Sequence, residues 1–312
     1  MILKQDVVVE NTQLQEIGSP TIKDGEVLIE TKAIRINPVD VKTRMGKAQA
    51  ANIHDTPIIL GWDISGEVIS VGKSVSDIKK GDNVFGMIHF PGHGKAYAEY
   101  VVAPASQLAI KLDNITHEAA AASTLAALTA WQAMTKNGEV KAGDKVLIHA
   151  ASGGVGHFAV QIAKHFGAYV IGTASAANED FVLSLGADEF INYRNQDFTK
   201  IISDVDFILD TIGGENFSKS LDVLKPTGTI VCLPSGLQEE AKKKAIEKGV
   251  KHTLFMIVKS DGEDMKKIAG LLEKSIVKPH ISETYDFKDI PKAHTHIEAG
   301  HTVGKVVVKL IG

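Results

Sequence analysis

The segment Lys145-Val-Leu-Ile-His-Ala150 runs directly into Ala151-Ser-Gly-Gly-Val-Gly156, then into His157-Phe-Ala-Val-Gln-Ile-Ala-Lys-His-Phe-Gly-Ala168 and Tyr169-Val-Ile-Gly172. An apolar run, a glycine turn, an apolar pattern of helical period and a second apolar run predict strand, turn, amphipathic helix and strand. Two buried strands joined through a helix commit this stretch to a parallel sheet. Gly153 and Gly156 hold the second and third glycine positions of G-x-G-x-x-G, with Ala151 at the first. A glycine at the second position lets the backbone approach a pyrophosphate, and one at the third lets the helix pack tightly on the strand. The helix N-terminus adds free N–H groups and a partial positive charge, so Ser152, Gly153, Gly154, Val155 and Gly156 are the expected phosphate contacts. Glycines also serve βαβ turns for packing alone. With strand and helix present on both sides, dinucleotide binding is the expectation.

Around this unit the texture of the chain changes twice. Val27-Leu-Ile-Glu-Thr31, Gly66-Glu-Val-Ile-Ser70, Asp82-Asn-Val-Phe85 and Ala98-Glu-Tyr-Val-Val102 read as short strands bounded by Gly, Pro, Asn or Asp, the signature of a compact antiparallel barrel-like domain. Ala119 to Ala133 reads as one buried linking helix. Beyond Tyr169 the alternation continues through Phe190-Ile-Asn-Tyr193, Val205-Asp-Phe-Ile-Leu-Asp210 and Thr229-Ile-Val-Cys-Leu233, which predicts a doubly wound α/β sheet. The last strand, Gly304-Lys-Val-Val-Val-Lys-Leu310, is expected to return to the first domain. Lys242 to Lys244 reads as the solvated face of a surface helix.

Bulk properties narrow the partners. A chain of 312 residues has length for two domains. A formal charge of −4 gives no electrostatic reason to expect nucleic acid or an anionic membrane. The single cysteine, Cys232, excludes a disulfide framework and a four-cysteine zinc lobe, and its strand context predicts an inert core thiol. Met1-Ile-Leu-Lys-Gln-Asp lacks a signal-peptide core and no apolar run reaches a membrane-spanning length, so a cytoplasmic protein is expected.

With these pieces in order the chain resembles the medium-chain dehydrogenase/reductase superfamily over its whole length, and within it the zinc-independent quinone oxidoreductase and enone (2-alkenal) reductase branch. The segments carrying the resemblance are Asn37-Pro-Val-Asp-Val-Lys42, Leu60-Gly-Trp-Asp-Ile-Ser-Gly66, Gly94-Lys-Ala-Tyr-Ala-Glu-Tyr100, Ala150 to Gly156, Leu185-Gly-Ala-Asp188, Asp210-Thr-Ile-Gly-Gly214 and Gly304-Lys-Val-Val307. The resemblance implies a GroES-like domain built from residues 1–120 and 258–312, a Rossmann domain over 121–257, and an active cleft between them. It also implies a homodimer.

Zinc enzymes resembling this chain place a ligand cysteine where Asn37 stands and a ligand histidine where Trp62 stands. A catalytic zinc takes three protein donors, and indole nitrogen only donates a hydrogen bond. His294 and His296 are two apart and face different ways on a helix, while His89, His93 and His301 read as isolated surface histidines. No metal ligands are therefore expected. Without a Lewis acid to hold an alkoxide, alcohol oxidation is disfavoured. Hydride delivery from a reduced nicotinamide to a quinone or an α,β-unsaturated carbonyl is the expected reaction. A zinc alcohol dehydrogenase and a non-catalytic NADPH-binding protein are the alternatives.

For the cofactor, no carboxylate follows Tyr169-Val-Ile-Gly-Thr173 to take a ribose 2′-hydroxyl; the nearest is Glu179. Ser175 can donate to a 2′-phosphate, and the resemblance carries the family's NADP-binding positions onto Asn178 and Tyr193. Relatives usually carry a cation in this loop, where Ala176, Ala177 and Asn178 offer none; Arg194 stands as the substitute. NADP(H) is the expected cofactor, with weaker 2′-phosphate affinity than usual and NAD(H) as a weaker alternative. By resemblance, Asn37 and Lys42 reach toward the nicotinamide end. Lys42 is read as binding cofactor hydroxyls or stabilising charge on the acceptor oxygen, and Asp40 either pairs with Lys42 or caps a helix. Ile212 and Leu233 are expected along the cofactor path, Phe255-Met256-Ile257 beside the nicotinamide or in the core, Lys305 of the family's Gly-Lys pair as a further cofactor contact, and Trp62 and Tyr97 as walls of the substrate cleft.

Overall fold

The computed structural model describes residues 2–3, 12–234, 239–250 and 252–310. The chain divides into two compact units, Met1–Leu128 with Val258–Gly312, and Thr129–Ile257.

The first unit opens with a short antiparallel pair, β1 (Ile2–Leu3) and β2 (Thr12–Gln13). Its main sheet is built on β3 (Glu26–Ile36), which pairs antiparallel with β4 (Asp63–Val71), itself followed across the sheet by β5 (Asn83–Met87). β6 (Tyr100–Pro104) pairs with β3, and β7 (Ala109–Ile110) with β5. A register shift between Thr31 and Ala33 changes which face of β3 is apolar. Before it, Val27 and Ile29 enter the main core; after it, Ile34 and Ile36 do. An extra residue in one strand moves every later side chain to the other face. Arg35 and Ala33 are thereby turned away from that core.

Helix α1 (Pro38–Arg44) follows immediately, with Asn37 as its N-cap and Pro38 at its first turn, where a missing N–H costs nothing. The Asp40 carboxylate accepts the Asn37 N–H at 2.5 Å. The linking segment is two helices rather than one, α2 (His117–Ala122) and α3 (Leu125–Gln132). Ser123 Oγ donates to Ala119 O (2.8 Å), Thr124 Oγ1 to Ala121 O (2.8 Å), and Asp63 Oδ1 takes the Leu125 N–H (3.0 Å). Hydroxyls and a carboxylate that bond backbone groups compete with continued helix, and alanine propensity does not override them. α2 packs Ala121 and Ala122 against Ala33 and Val307.

The second unit is the alternating segment. Its strands are β8 (Lys145–Ile148), β9 (Tyr169–Ala174), β10 (Glu189–Asn192), β11 (Val205–Asp210), β12 (Leu224–Cys232) and β13 (His252–Phe255). They pair in parallel in the order β10-β9-β8-β11-β12-β13. That order, reversing beside the first strand, is the doubly wound one whose ligand crevice lies at the carboxyl ends of the strands. The crossovers are α4 (Gly156–His165), α5 (Glu179–Ser184), α6 (Glu215–Val223) and α7 (Glu239–Glu247). Cys232 is buried in this core with its thiol pushed up to about 12 by burial, which leaves it unreactive.

The chain then rejoins the first unit through α8 (Gly262–Glu273), β14 (Ile281–Asp286), α9 (Ile290–Glu298) and β15 (Lys305–Lys309). β15 pairs parallel with β14 and antiparallel with β3, with Val306 opposite Ile36 and Val307 opposite Arg35.

Candidate functional site

In the second unit, the carboxyl ends of the strands collect the residues expected to hold a nucleotide. The turn after β8 carries Ser152 to Gly156, with Gly153, Gly154 and Val155 half-exposed. Gly156 opens α4 where no side chain fits: a Cβ there would lie 2.2 Å from Ala150 O and 2.7 Å from Ala151 Cα. Both are backbone atoms, so the helix sits this close to the turn only as glycine. Among the described residues, the N–H groups of Gly154, Val155 and Gly156 have no backbone acceptor, as the first turn of a helix requires. This turn fits a pyrophosphate.

Beneath the turn, His149 is buried, its ring nitrogens 3.2 Å from Thr173 Oγ1 and 2.9 Å from Ser220 Oγ. Burial pushes its pKa down to about 4, against a weaker opposing pull from Asp210. The folded state therefore binds the proton less well than the unfolded chain. Stability is expected to fall as pH drops from about 6.5 to about 4, by on the order of 3 kcal/mol for this group. His149→Gln should flatten that part of a denaturation-against-pH profile; an unchanged slope would contradict the reading.

After β9 and β10 come the residues read as the 2′-phosphate loop. Asn178 Nδ2 donates to Ser175 Oγ (3.1 Å), and the Tyr193 N–H donates to Ala174 O (3.2 Å). The register therefore places Ser175, Asn178 and Tyr193 side by side. Tyr193 is exposed, and the Arg194 guanidinium lies 5.9 Å from its ring centroid with Nε 3.4 Å from its hydroxyl. No ion pair links Arg194 to a carboxylate among the described residues.

The loop after β11 is held by Asp210, which the sequence marks as part of a motif but to which it assigns no role. Asp210 is fully buried, and its Oδ1 accepts the N–H groups of Ile212 (2.9 Å) and Gly213 (3.0 Å) and Asn216 Nδ2 (3.1 Å). An Asp followed closely by paired glycines at a strand end is the sequence signal for such a turn. Ile212 is held outward and exposed, and the half-buried Leu233 donates its N–H to Asp210 O (2.9 Å). Phe255 and Ile257 are exposed and Met256 buried, so this run offers its two flanking side chains to that edge.

In the first unit a second cluster forms on the β3 face away from the main core. Asp63 is fully buried; its Oδ2 accepts Asn37 Nδ2 (2.7 Å) and lies 3.6 Å from Arg35 Nη1, while its Oδ1 takes the Leu125 N–H (3.0 Å). Arg35 also donates to Ala122 O (3.3 Å). The Asn37 amide N–H is thus satisfied by Asp63, while its Oδ1 is buried without a hydrogen-bond partner. Asp40 is buried facing inward while Lys42 is exposed on α1, so the pairing of these two is corrected: Asp40 serves the helix N-terminus. Burial pushes Asp40 up to about 8, with the Asn37 N–H pulling the other way.

Trp62 and Tyr97 are corrected too. Trp62 is fully buried, donates Nε1–H to Gly92 O (2.8 Å) and packs edge-on to Phe90. Tyr97 is 1% exposed and its hydroxyl lies 3.0 Å from Nε2 of buried His294. A Cβ on Gly61 would lie 2.3 Å from the Tyr97 ring, so the aromatic fills the space that glycine leaves. Neither side chain offers a surface to a substrate. His89 and His93 are half-buried rather than surface histidines, each with a ring nitrogen at a backbone carbonyl: Val102 O at 3.2 Å and Ile59 O at 2.8 Å. The described residues contain no cluster of three or more His, Cys, Asp or Glu arranged around a cation, and no helix long and apolar enough to cross a membrane.

Comparison with known proteins places this geometry. Residues 23–114 match the alcohol dehydrogenase GroES-like domain and residues 185–308 the zinc-binding dehydrogenase domain. A 2-methylene-furan-3-one reductase of Solanum lycopersicum is 34% identical over 302 residues, 94% of this chain and 74% of the relative. The chain belongs to the medium-chain dehydrogenase/reductase family. It is an oxidoreductase of that family. The structure of a quinone oxidoreductase from Coxiella burnetii superimposes with a TM-score of 0.91 at 35% identity, covering 99% of this chain and 98% of that one. An Escherichia coli quinone oxidoreductase complexed with NADPH gives 0.88 at 29% identity, covering 99% and 98%.

The zinc in the name of one matching domain was tested against the donors present. Asn37 offers its amide N–H to Asp63, Trp62 its indole N–H to Gly92, and both Asp63 oxygens already accept hydrogen bonds. These residues do not fit a catalytic zinc.

Proposed function

We propose that this protein is an NADPH-dependent reductase that delivers hydride to a quinone or an α,β-unsaturated carbonyl without zinc. The observation that carries the reading is the position where zinc relatives hold their metal, filled here by a buried network of Arg35, Asn37, Asp63 and the Leu125 N–H. An electron-poor acceptor takes hydride without a Lewis acid, whereas an alcohol has first to lose its hydroxyl proton to a metal-assisted or general base. The printed activities of the similar proteins, a furanone reductase and quinone oxidoreductases, support the same choice.

In this reading Ser152 to Gly156 bind the pyrophosphate on the N-terminus of α4. Ser175, Asn178, Tyr193 and Arg194 receive the 2′-phosphate, and Ile212 and Leu233 line the path of the cofactor. Asn37 and Lys42 face its nicotinamide end. The reduced nicotinamide, when bound, supplies the hydride; the protein supplies alignment. The edge strand β13 is the element through which two copies would extend one sheet into a cytoplasmic homodimer.

Steady-state oxidation of NADPH with a quinone and with an enone tests the activity. Turnover with either supports it, and tight NADPH binding with no turnover over a broad acceptor panel would replace it with a binding protein. For the cofactor, Arg194→Ala is expected to weaken NADPH binding about tenfold and leave NADH unchanged, since one charge-assisted contact is lost. Equal effects on both nucleotides, measured by fluorescence titration, would remove Arg194 from the 2′-phosphate site.

A further inference from the structure

Buried polar side chains gather at two places. In the first unit they include Arg35, Asn37, Asp40, Asp63 and Lys305, the last of these expected as a cofactor contact and 4% exposed. In the second unit they form a line through His149. β8 pairs Ile148 with Gly172 of β9 on one side and with Leu209 of β11 on the other, so the next residue, His149, stands where the strand order reverses. Its side chain shares the face of Leu147 and enters the core that Phe217 and Leu221 of α6 complete. There it meets Phe198 edge-on, with ring centroids 5.0 Å apart.

Every proton in this line has one place to go. Asn216 O can only accept, so the Ser220 hydroxyl, 2.7 Å away, donates to it. Ser220 Oγ therefore accepts from His149 Nε2 (2.9 Å). Burial keeps the ring neutral, which leaves Nδ1 to accept the Thr173 hydroxyl (3.2 Å). The ring thus joins β9 to α6, and each end leads on to a part of the nucleotide crevice. On the β9 side, Thr173 O accepts the Ala151 N–H of the glycine turn (2.8 Å), and Ser175 stands two residues on. Past Ser220, Asn216 Nδ2 donates to Asp210 Oδ1 (3.1 Å), which holds the Ile212 and Gly213 N–H groups. The backbone of His149 makes the second of these links again: its N–H donates to Leu209 O (3.1 Å) and its carbonyl accepts Thr211 Oγ1 (3.1 Å). His149, Thr173 and Ser220 are each no more than 2% exposed. A phenylalanine would fill this core with no polar group to satisfy. A buried polar network that is complete instead fixes one arrangement of the elements it joins.

We propose that His149 is a positioning residue for the dinucleotide: its ring fixes the glycine turn and Ser175 on the β9 side relative to the loop after β11, so that the two present one surface to NADPH. The proposal rests on the NADPH reading above. Buried as it is, the ring acts through the two loops and not on the nucleotide itself.

The test compares His149→Phe, Thr173→Val, Ser220→Ala and the Thr173→Val/Ser220→Ala double variant with Leu224→Ala, all in the full chain. Leu224 belongs to the same core but opens β12, at the end of the sheet away from the crevice. NADPH affinity, read by calorimetric titration, should fall about tenfold in His149→Phe and in each single variant of its partners, within the range for residues of one network. The double variant should also lose about tenfold, because either break already uncouples the ring; independent contributions would multiply to about 100-fold. Leu224→Ala should stay within about threefold of wild type although it loosens the same core. Hydrogen exchange of the nucleotide-free protein is the second readout. His149→Phe should speed exchange over residues 173–178 and 211–216 together, and Leu224→Ala should not single these segments out. A loss of about 100-fold in the double variant, a loss in Leu224→Ala equal to that in His149→Phe, or affinity in His149→Phe within about threefold of wild type would each overturn the proposal. A wild type that binds no NADPH would instead overturn the nucleotide reading; exchange that rises in one of the two segments or in neither would then still decide against the coupling, and a joint rise in its favour.

Discussion

Asp63→Ala is expected to destabilise the protein by about 3–5 kcal/mol, the range for breaking a buried ion pair by removing one partner. The carboxylate is fully buried and joins three pieces of the first unit: Arg35 on β3, Asn37 at the start of α1 and the Leu125 N–H at the start of α3. Its removal leaves the Arg35 guanidinium, itself 1% exposed, facing apolar surroundings with Ala122 O as its remaining acceptor. The side-chain amide of Asn37 and the α3 N-terminus lose their acceptor in the same step. Asp63→Asn keeps acceptor oxygen and shape but not the charge, so it should fall between. Urea denaturation of the three proteins side by side checks this. A loss below about 1 kcal/mol for Asp63→Ala would mean that the network is not what closes this end of the unit.

Gly156→Ala is expected to weaken NADPH binding at least about 100-fold, because the new methyl has nowhere to go. Its position, 2.2 Å from Ala150 O and 2.7 Å from Ala151 Cα, is blocked by backbone on the strand side of the turn. α4 has to move off the turn, and the N–H groups that would meet a pyrophosphate move with it. A displaced dipole and lost hydrogen bonds to a charged group account for several kcal/mol together. Ser152→Ala, which removes a hydroxyl and leaves the backbone in place, is the control and should cost far less. Calorimetric titration with NADPH reads both. Wild-type affinity in Gly156→Ala would show that the turn does not carry the nucleotide.

What was legible in the sequence follows from how each element is buried. The strands of the parallel sheet are covered on both faces and read as apolar runs, so β8, β9 and β11 stand out as Val146-Leu-Ile148, Val170-Ile171 and Phe207-Ile-Leu209. β14 is an edge strand in which Ser282, Glu283 and Thr284 are exposed, and no run of apolar residues marks it. The break between α2 and α3 was hidden by alanine, since it depends on Asp63, which is far away in the chain.

The polar cluster was less legible still. In Ala33-Ile-Arg-Ile36 the arginine has the period of an outward-facing strand residue; only the covering helix α2 makes it buried. Lys305 reads the same way in Gly304-Lys-Val-Val307. In Leu60-Gly-Trp-Asp63 the aromatic stands out as a cleft wall, whereas Trp62 is fully buried and the carboxylate is the residue that joins three elements. Large aromatics fill space, and a short carboxylate that reaches three elements is what organises the site.

The central claim is hydride transfer from NADPH to the acceptor without a metal. It is tested most directly by measuring metal content and turnover on one sample, before and after exhaustive dialysis against a strong chelator. NADPH oxidation with a quinone or an enone should persist at its full rate in protein holding well under one zinc per chain. Loss of turnover on dialysis, restored by one equivalent of zinc, would contradict the account.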